Sequence, residues 1–176
     1  MAIQMIFCME TNRKADTDSI YITETIRYWY ELNNQTKISK IYMNTKSKYN
    51  SKDVLKEINK KSRDYTFGET RVIYCIDTDQ YEKNIEHAKE FENINFFCVK
   101  RDYDLIWFCH DVEEAFLDQK VSDSYKVQEA AAFRKKRRIE QIQANKLMCN
   151  EKYACTSNIL NILDKYLPRK QDRQRS

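Results

Sequence analysis

Four short apolar runs, separated by longer segments with helical periodicity, constrain the fold of this 176-residue chain more than any other feature. The runs cover residues 3–8, 40–43, 72–76 and 105–109. In the segment 19–33 between the first two, apolar residues recur at helical spacing and share one face. Alternating strands and helices favour a parallel sheet with right-handed crossovers. We therefore predict an α/β fold with a four-stranded parallel sheet flanked by helices.

Two further helices are predicted between the later strands. Asn50 or Ser51 offers an N-cap oxygen to the second helix. The third helix is expected from residue 84 to residue 98. It could instead break near Asn95, because residues 96–99 can also be read as a strand.

Beyond residue 120 the sequence predicts helices and no further strand of the sheet. A long helical tract is predicted over residues 122–147, and Thr156 or Ser157 caps a last helix that Pro168 closes. We predict two parts, an α/β domain of residues 1–120 and a C-terminal helical extension of residues 121–176 packed on it. The charged segment from residue 169 onwards is expected to form a frayed basic tail.

Composition excludes several functional classes. One Gly and one Pro in the whole chain leave no Gly-rich phosphate loop or dinucleotide fingerprint. The net charge of +4 says little about partners. Six cysteines without a Cys-x-x-Cys pair argue against structural zinc. No apolar run has membrane-spanning length and no basic leader precedes the first one, so we expect a cytoplasmic protein with no membrane insertion.

Acidic residues follow three of the four predicted strands. Glu10 follows the first strand, Asp77 and Asp79 follow the third, and Glu113 and Glu114 come after the fourth. If these three strands are neighbours, their acids rise at the same edge of a parallel sheet. Converging carboxylates are what two-metal phosphoryl chemistry requires, so the pattern predicts a Mg²⁺ or Mn²⁺ site. The alternative is that each Asp ends a strand or forms a turn without chemistry and that Glu10 is a solvated loop acid.

Basic residues could supply contacts to nucleic-acid phosphates. The densest run is Arg134, Lys135, Lys136, Arg137 and Arg138, and Arg13 and Lys14 follow the first strand. Lysines at positions 46, 48 and 52 could add contacts near the same edge of the sheet. The alternative is that the basic run is a solvated helix face. His110 could be a general base or ligand, or a structural residue.

The placement of the acids resembles the TOPRIM domain of topoisomerases, primases and overcoming-lysogenization-defect nucleases. More narrowly, the chain is similar to the RloB-like branch of small TOPRIM proteins from bacterial defence loci. Residues 6–14, Ile-Phe-Cys-Met-Glu-Thr-Asn-Arg-Lys, stand where that branch has a strand, Cys-Glu-Gly and a polar turn. Ile76-Asp77-Thr78-Asp79 matches its Asp-x-Asp motif.

Two later segments extend the resemblance over most of residues 3–167. Residues 109–117, Cys-His-Asp-Val-Glu-Glu-Ala-Phe-Leu, stand where the branch has Ser-Asn-Pro-x-Phe-Glu-x-Trp-Leu. This alignment puts Glu114 on the third acidic position. Residues 156–160 resemble the Thr-Asn-Val segment near the end of the branch.

The resemblance implies a Mg²⁺- or Mn²⁺-dependent nuclease that acts on DNA or RNA in anti-phage defence. Relatives often act beside an ATPase encoded with them, so the resemblance also implies such a partner. In that interpretation Glu10 orients a water or binds metal, Asp77 and Asp79 hold metal, and Glu114 completes the set. Two alternatives stay open. One is a metal-dependent phosphatase or nucleotidyl-transferring protein that acts on nucleotides. The other is a nucleic-acid-binding or regulatory module without turnover.

Overall fold

The computed structural model describes residues 2–171 and contains one five-stranded sheet in these residues. The strands are β1 (Ile3–Met9), β2 (Thr36–Tyr42), β3 (Glu69–Asp77), β4 (Asp104–Cys109) and β5 (Thr156–Ser157). Their order across the sheet is β2-β1-β3-β4-β5, with β1 to β4 parallel and β5 antiparallel to β4. The prediction of an α/β fold with a parallel sheet is confirmed, and the sheet has a fifth strand that we did not predict.

Helices cover both faces of this sheet. They are α1 (Thr17–Trp29), α2 (Lys52–Arg63), α3 (Ile85–Lys100), α4 (Val112–Leu117), α5 (Asp123–Lys135), α6 (Ala144–Leu147) and α7 (Ile159–Leu163). Apolar residues of α2 and α3 pack on one face, and those of α1 and α4 to α7 pack on the other. Alternate residues of β1 belong to the two cores, as the two-residue period of a strand requires. The described helices include none that is long and apolar enough to cross a membrane.

The strand order makes neighbours of the three strands that carry acids at their ends. Met9 of β1 lies opposite Cys75 of β3, and Asp77 lies opposite Phe108 of β4. Across the sheet, Glu10 therefore lies one position before Asp77, and its side chain can reach the Asp77 backbone. The polar ends of β1, β3 and β4 meet at one edge of the sheet.

One helix boundary and one alternative between Ser19 and Lys100 differ from the sequence-based expectation. Helix α1 ends at Trp29, not residue 33, because Tyr30 is extended and its backbone pairs with Arg169. The strand alternative for residues 96–99 is wrong. These residues belong to the continuous helix α3, which buries Phe91, Ile94 and Cys98 at helical spacing.

The long helix predicted over residues 122–147 is wrong. Helix α5 ends at Lys135, Arg137 takes a left-handed φ of 51°, and a 3₁₀ turn (Arg138–Gln141) and α6 follow. Phe133 and Ile139 both pack into the same core. In a continuous helix, residues six apart point about 240° apart, so the chain must turn to bury both.

The last helix also begins later than predicted. Thr156 and Ser157 form β5, although the Ser157 hydroxyl still accepts a hydrogen bond from the Ile159 N–H at 3.1 Å. In the tail, Arg169 pairs with Asp164 at 2.8 Å, and the Lys170 N–H donates to Trp29 O at 3.0 Å. The predicted tail from residue 172 onwards lies outside the described residues.

A carboxylate in the loop after β1 ties that loop to β2. Asp16 accepts hydrogen bonds from the Tyr42 hydroxyl at 2.8 Å and from Lys40 Nζ at 3.3 Å. Partial burial acts to raise the pKa of Asp16, but the hydrogen bonds and the Lys40 charge outweigh it, so the pKa is lowered.

We expect Asp16→Asn to lose a contribution to stability that depends on pH. A carboxyl whose pKa is lowered by folding stabilises the protein above its unfolded pKa of about 4. That contribution is lost as the pH falls through the folded pKa. Urea unfolding should therefore show the variant less stable than wild type at pH 7, with the difference shrinking towards pH 3. The exposed Glu92→Gln is the control. A difference that stays constant with pH would contradict the assignment.

Candidate metal centre at the carboxyl edge of the sheet

Glu10 and Asp77 are joined by a backbone contact at the end of β3. Glu10 Oε1 accepts a hydrogen bond from the Asp77 N–H at 2.7 Å. Burial raises the pKa of Glu10 to about 8, although the Lys46 charge and the Asp77 N–H favour the ionised form. The structure therefore brings two of the predicted site residues together.

The Asp77 carboxylate lies among acids and lacks a partner. Burial is the first cause that raises its pKa well above the usual range, followed by the charges of neighbouring carboxylates, which belong to Glu10, Asp18, Asp111 and Glu113. Within residues 2–171, nothing donates a hydrogen bond to this carboxylate or pairs with it. An anion in such surroundings is costly unless a cation or a proton joins it.

Lys46 holds the second carboxylate of the Asp-x-Asp motif. Asp79 has a left-handed φ of 49°, and its carboxylate is bonded to the Lys46 ammonium. The Lys46 side chain is buried, and its Nζ also lies 3.3 Å from Asp77 O and 3.7 Å from Glu90 Oε2. Burial alone would lower the pKa of Lys46, but Asp79, Glu10 and Glu90 raise it, so this ammonium stays charged.

The two glutamates after β4 point in different directions. Glu113 is fully buried, with Lys126 Nζ 3.0 Å from its Oε2. Neither oxygen of Glu113 has a hydrogen bond of good geometry in the described part of the chain. Glu114 instead contacts His110 Nδ1 at 2.9 Å. Glu113 is among the charges that act on Asp77, and the predicted Glu114 lies with Asp77 and Asp79 in the lining of one cleft.

Asp18, Asp111 and Lys126 belong to this site and were missed by sequence reasoning. Asp18 Oδ2 accepts a hydrogen bond from the Thr11 N–H at 3.3 Å. Asp111 caps α4 by accepting from the Glu114 N–H at 2.7 Å and lies 3.5 Å from Lys126 Nζ. Asp18 and Asp111 carry ordinary helix-start signals, and Lys126 lies in a helix far along the chain, so no local pattern distinguishes them.

The basic run of residues 134–138 lies away from the acids. Arg134 pairs with Glu24 of α1 at 3.3 Å, and Arg138 pairs with Glu129 at 3.0 Å. Nine residues of helix separate Lys126 from Lys135, which is about 14 Å along α5. The side chains between these two ion pairs are exposed to solvent, namely Lys135, Lys136 and Arg137. Arg13 and Lys14 are exposed in the loop after β1, on the same edge as the acids, with the Arg13 guanidinium 5.8 Å from the Tyr42 ring centre.

A cleft of about 400 Å³ opens beside the acids. Its lining includes Asp77, Asp79, Glu82, His110, Lys120 and Lys126. Four of the groups whose charges act on Asp77 are carboxylates, the ligand type that hard cations such as Mg²⁺ and Mn²⁺ prefer. Asp77 and Glu113 are therefore candidate ligands for such a cation, and a metal at Glu113 would have to compete with the Lys126 ammonium 3.0 Å from its Oε2. A metal at Asp79 would have to displace the Lys46 ammonium.

Comparisons of the chain with protein-family models, with curated proteins and with solved structures found no match.

Proposed function

We propose that this chain is a Mg²⁺- or Mn²⁺-dependent phosphodiesterase of TOPRIM type that cleaves DNA or RNA. The Asp77 carboxylate carries the proposal, because at the carboxyl edge of a parallel sheet the charges of several carboxylates act on it and no hydrogen bond to it is found in the described residues. Such an arrangement raises the free energy of the protein alone and is offset when a divalent cation binds. We propose anti-phage defence as the setting, and an ATPase as partner, on the resemblance to the RloB-like branch.

The residues of the site have separate roles in this proposal. Asp77 and Glu10 would hold the cation, with Glu113 as the third acid and Asp79 available when Lys46 withdraws from it. A bound Mg²⁺ or Mn²⁺ would stabilise charge on the phosphodiester oxygens and lower the pKa of a water. Glu10 is fixed by the Asp77 N–H through one oxygen, so its other oxygen would be free to hold the cation or to orient a water.

The test is cleavage of labelled polynucleotides by the purified full chain. Single-stranded and duplex forms of RNA and DNA are incubated with Mn²⁺ or Mg²⁺, and parallel samples contain a chelator. We expect metal-dependent cleavage of at least one polymer, which the chelator abolishes. Release of inorganic phosphate from nucleotides while the polymers stay intact would favour the phosphatase alternative instead.

A second candidate function is nucleic-acid binding or regulation without turnover. The Lys46 ammonium favours it, because it already neutralises the Asp79 carboxylate in place of a metal. This candidate predicts binding that needs no divalent cation and weakens with salt. The absence of cleavage in every metal, with such binding retained, would support it over the nuclease.

We expect the double substitution Lys135→Gln and Lys136→Gln to weaken nucleic-acid binding in a salt-dependent way. Each phosphate contact adds about 0.7 to 0.9 to the steepness with which log affinity falls against log salt concentration. Losing two lysines should therefore reduce this steepness by up to about 2. Fluorescence anisotropy at several salt concentrations measures it. Lys56→Gln with Lys60→Gln removes the same charge from exposed positions of α2 and is the control. Equal losses of nucleic-acid affinity in the two double variants would contradict a specific role for the basic run at the end of α5.

A further inference from the structure

We propose that Glu82, Cys109 and His110 form a separate transition-metal site that binds Zn²⁺. One ligand atom from each residue lies within 4.8 Å of the other two. Nε2 of His110 is 3.0 Å from Glu82 Oε1. Ligand atoms in a tetrahedral zinc site lie about 3.3 to 3.8 Å apart, given bond lengths of about 2.0 to 2.3 Å. Small side-chain movements therefore suffice to place all three atoms around one ion.

The donor set differs in kind from the acids around Asp77. A thiolate, an imidazole and a carboxylate are the three ligand types of protein zinc sites, whereas Mg²⁺ and Mn²⁺ prefer oxygen. Zn²⁺ at this site can therefore be distinguished by its ligand preference from Mg²⁺ or Mn²⁺ at the acids around Asp77. The zinc proposal stands whether or not the acids cleave nucleic acid.

Glu114 orients the imidazole for this role. Its Oε1 lies 2.9 Å from His110 Nδ1, which directs Nε2 towards Glu82. A carboxylate on the far nitrogen is the usual outer partner of a metal-bound histidine. In this proposal Glu114 is the outer partner of a metal-binding histidine, a role that it does not have in the acid cluster around Asp77.

The surrounding backbone holds the ligands together. Cys109 is the last residue of β4 and His110 follows it, and Glu82 lies in the loop between β3 and α3. The Asp79 N–H donates to His110 O at 2.8 Å and the Thr78 N–H donates to Phe108 O at 2.9 Å, so the loop is anchored to β4. Cys109 is buried, whereas the Glu82 side chain is 40% exposed at the cleft. Because three protein ligands fill only three positions of a tetrahedral ion and the cleft side is exposed, the fourth position is open to water or a small ligand.

Metal binding has a defined proton balance. The ion takes the place of the proton that His110 Nε2 shares with Glu82, and this proton and the thiol proton of Cys109 are both released to solvent. The sulfur then donates an electron pair to the metal as a thiolate, with no change of oxidation state. Cobalt(II) reports this bond directly, because a thiolate ligand gives it a near-ultraviolet charge-transfer band.

The experiment titrates the metal-free full chain with Co²⁺ and then displaces the cobalt with Zn²⁺. We expect a charge-transfer band that saturates at one equivalent and disappears with Zn²⁺. Cys109→Ser should abolish the band, and Glu114→Gln should weaken Co²⁺ binding by roughly 10- to 100-fold. Cys98→Ala removes another buried thiol and should leave the band intact. Asp77→Asn should also leave it intact, which separates this site from the proposed nuclease centre.

Three results would overturn the proposal. They are the absence of a charge-transfer band in wild type, a full band in Cys109→Ser, and an equal loss of the band in Cys98→Ala. If Cys109→Ser does not fold, Glu82→Gln decides, because this side chain is exposed and its replacement does not disturb the core. We expect at least a tenfold loss of Co²⁺ affinity in Glu82→Gln, and unchanged affinity would contradict the site.

Discussion

Asp77→Asn is expected to abolish metal-dependent cleavage and at the same time to stabilise the protein. The amide has the shape of the carboxylate but carries no charge among the neighbouring acids. Activity should fall on the order of 10²- to 10³-fold, the scale seen when one electrostatic group of an active site is removed. The free energy of unfolding should rise, because the amide does not repel the neighbouring carboxylates.

Cleavage assays and urea unfolding at pH 7, without divalent cations, measure the two effects. Adding Mn²⁺ should stabilise wild type and leave Asp77→Asn unchanged, because a ligand raises stability only where it binds the folded state. Glu92→Gln neutralises an exposed acid of α3 and should change neither quantity. A less stable Asp77→Asn protein, or one that still cleaves, would contradict the role assigned to this carboxylate.

Lys46→Met is expected to be among the most destabilising single substitutions near the site. It removes the ammonium that contacts Asp79, Glu90 and the Asp77 carbonyl, and it leaves these acids without their compensating charge. Breaking one partner of a buried ion pair costs about 3–5 kcal/mol, and the partial exposure of Asp79 places the loss near the lower end. Thermal and urea unfolding measure it.

The same variant tests whether Lys46 and a metal compete for Asp79. With the ammonium gone, Mn²⁺ should raise the unfolding midpoint of Lys46→Met by more than it raises that of wild type. Lys48 lies exposed in the same 3₁₀ turn (Lys46–Lys48), so Lys48→Met is the matched control and should change stability by less than about 0.5 kcal/mol. Equal Mn²⁺ effects in wild type and Lys46→Met would show that the metal does not use Asp79.

The convergence of Glu10 and Asp77 could be predicted because it depends on local patterns and on one topological rule. Apolar runs predicted the strands, and each acid follows directly after its run. Parallel strands then bring their carboxyl ends to one edge. The Ser51 cap of α2 was predicted for a similar reason, since its hydroxyl accepts from the Val54 N–H only three residues away.

Contacts between distant parts of the chain could not be predicted in this way. Lys46 follows β2 and reaches Asp79, and Lys126 of α5 reaches Glu113. Lysines in polar segments give no signal that they will be buried, because most of them are exposed. The choice between Glu113 and Glu114 depends on how α4 is rotated against the sheet, which a spacing of one residue does not reveal.

By itself, the sequence determined that this chain forms a parallel α/β sheet and that Glu10 and Asp77 rise at the same edge, because periodicity and strand direction are local properties. Only the tertiary structure decided which charges surround Asp77, that Lys46 neutralises Asp79, and that Glu82, Cys109 and His110 converge. It also placed the basic run at the far end of α5 from Lys126. These outcomes depend on the packing of distant elements against a shared core, where burial makes each unpaired charge costly.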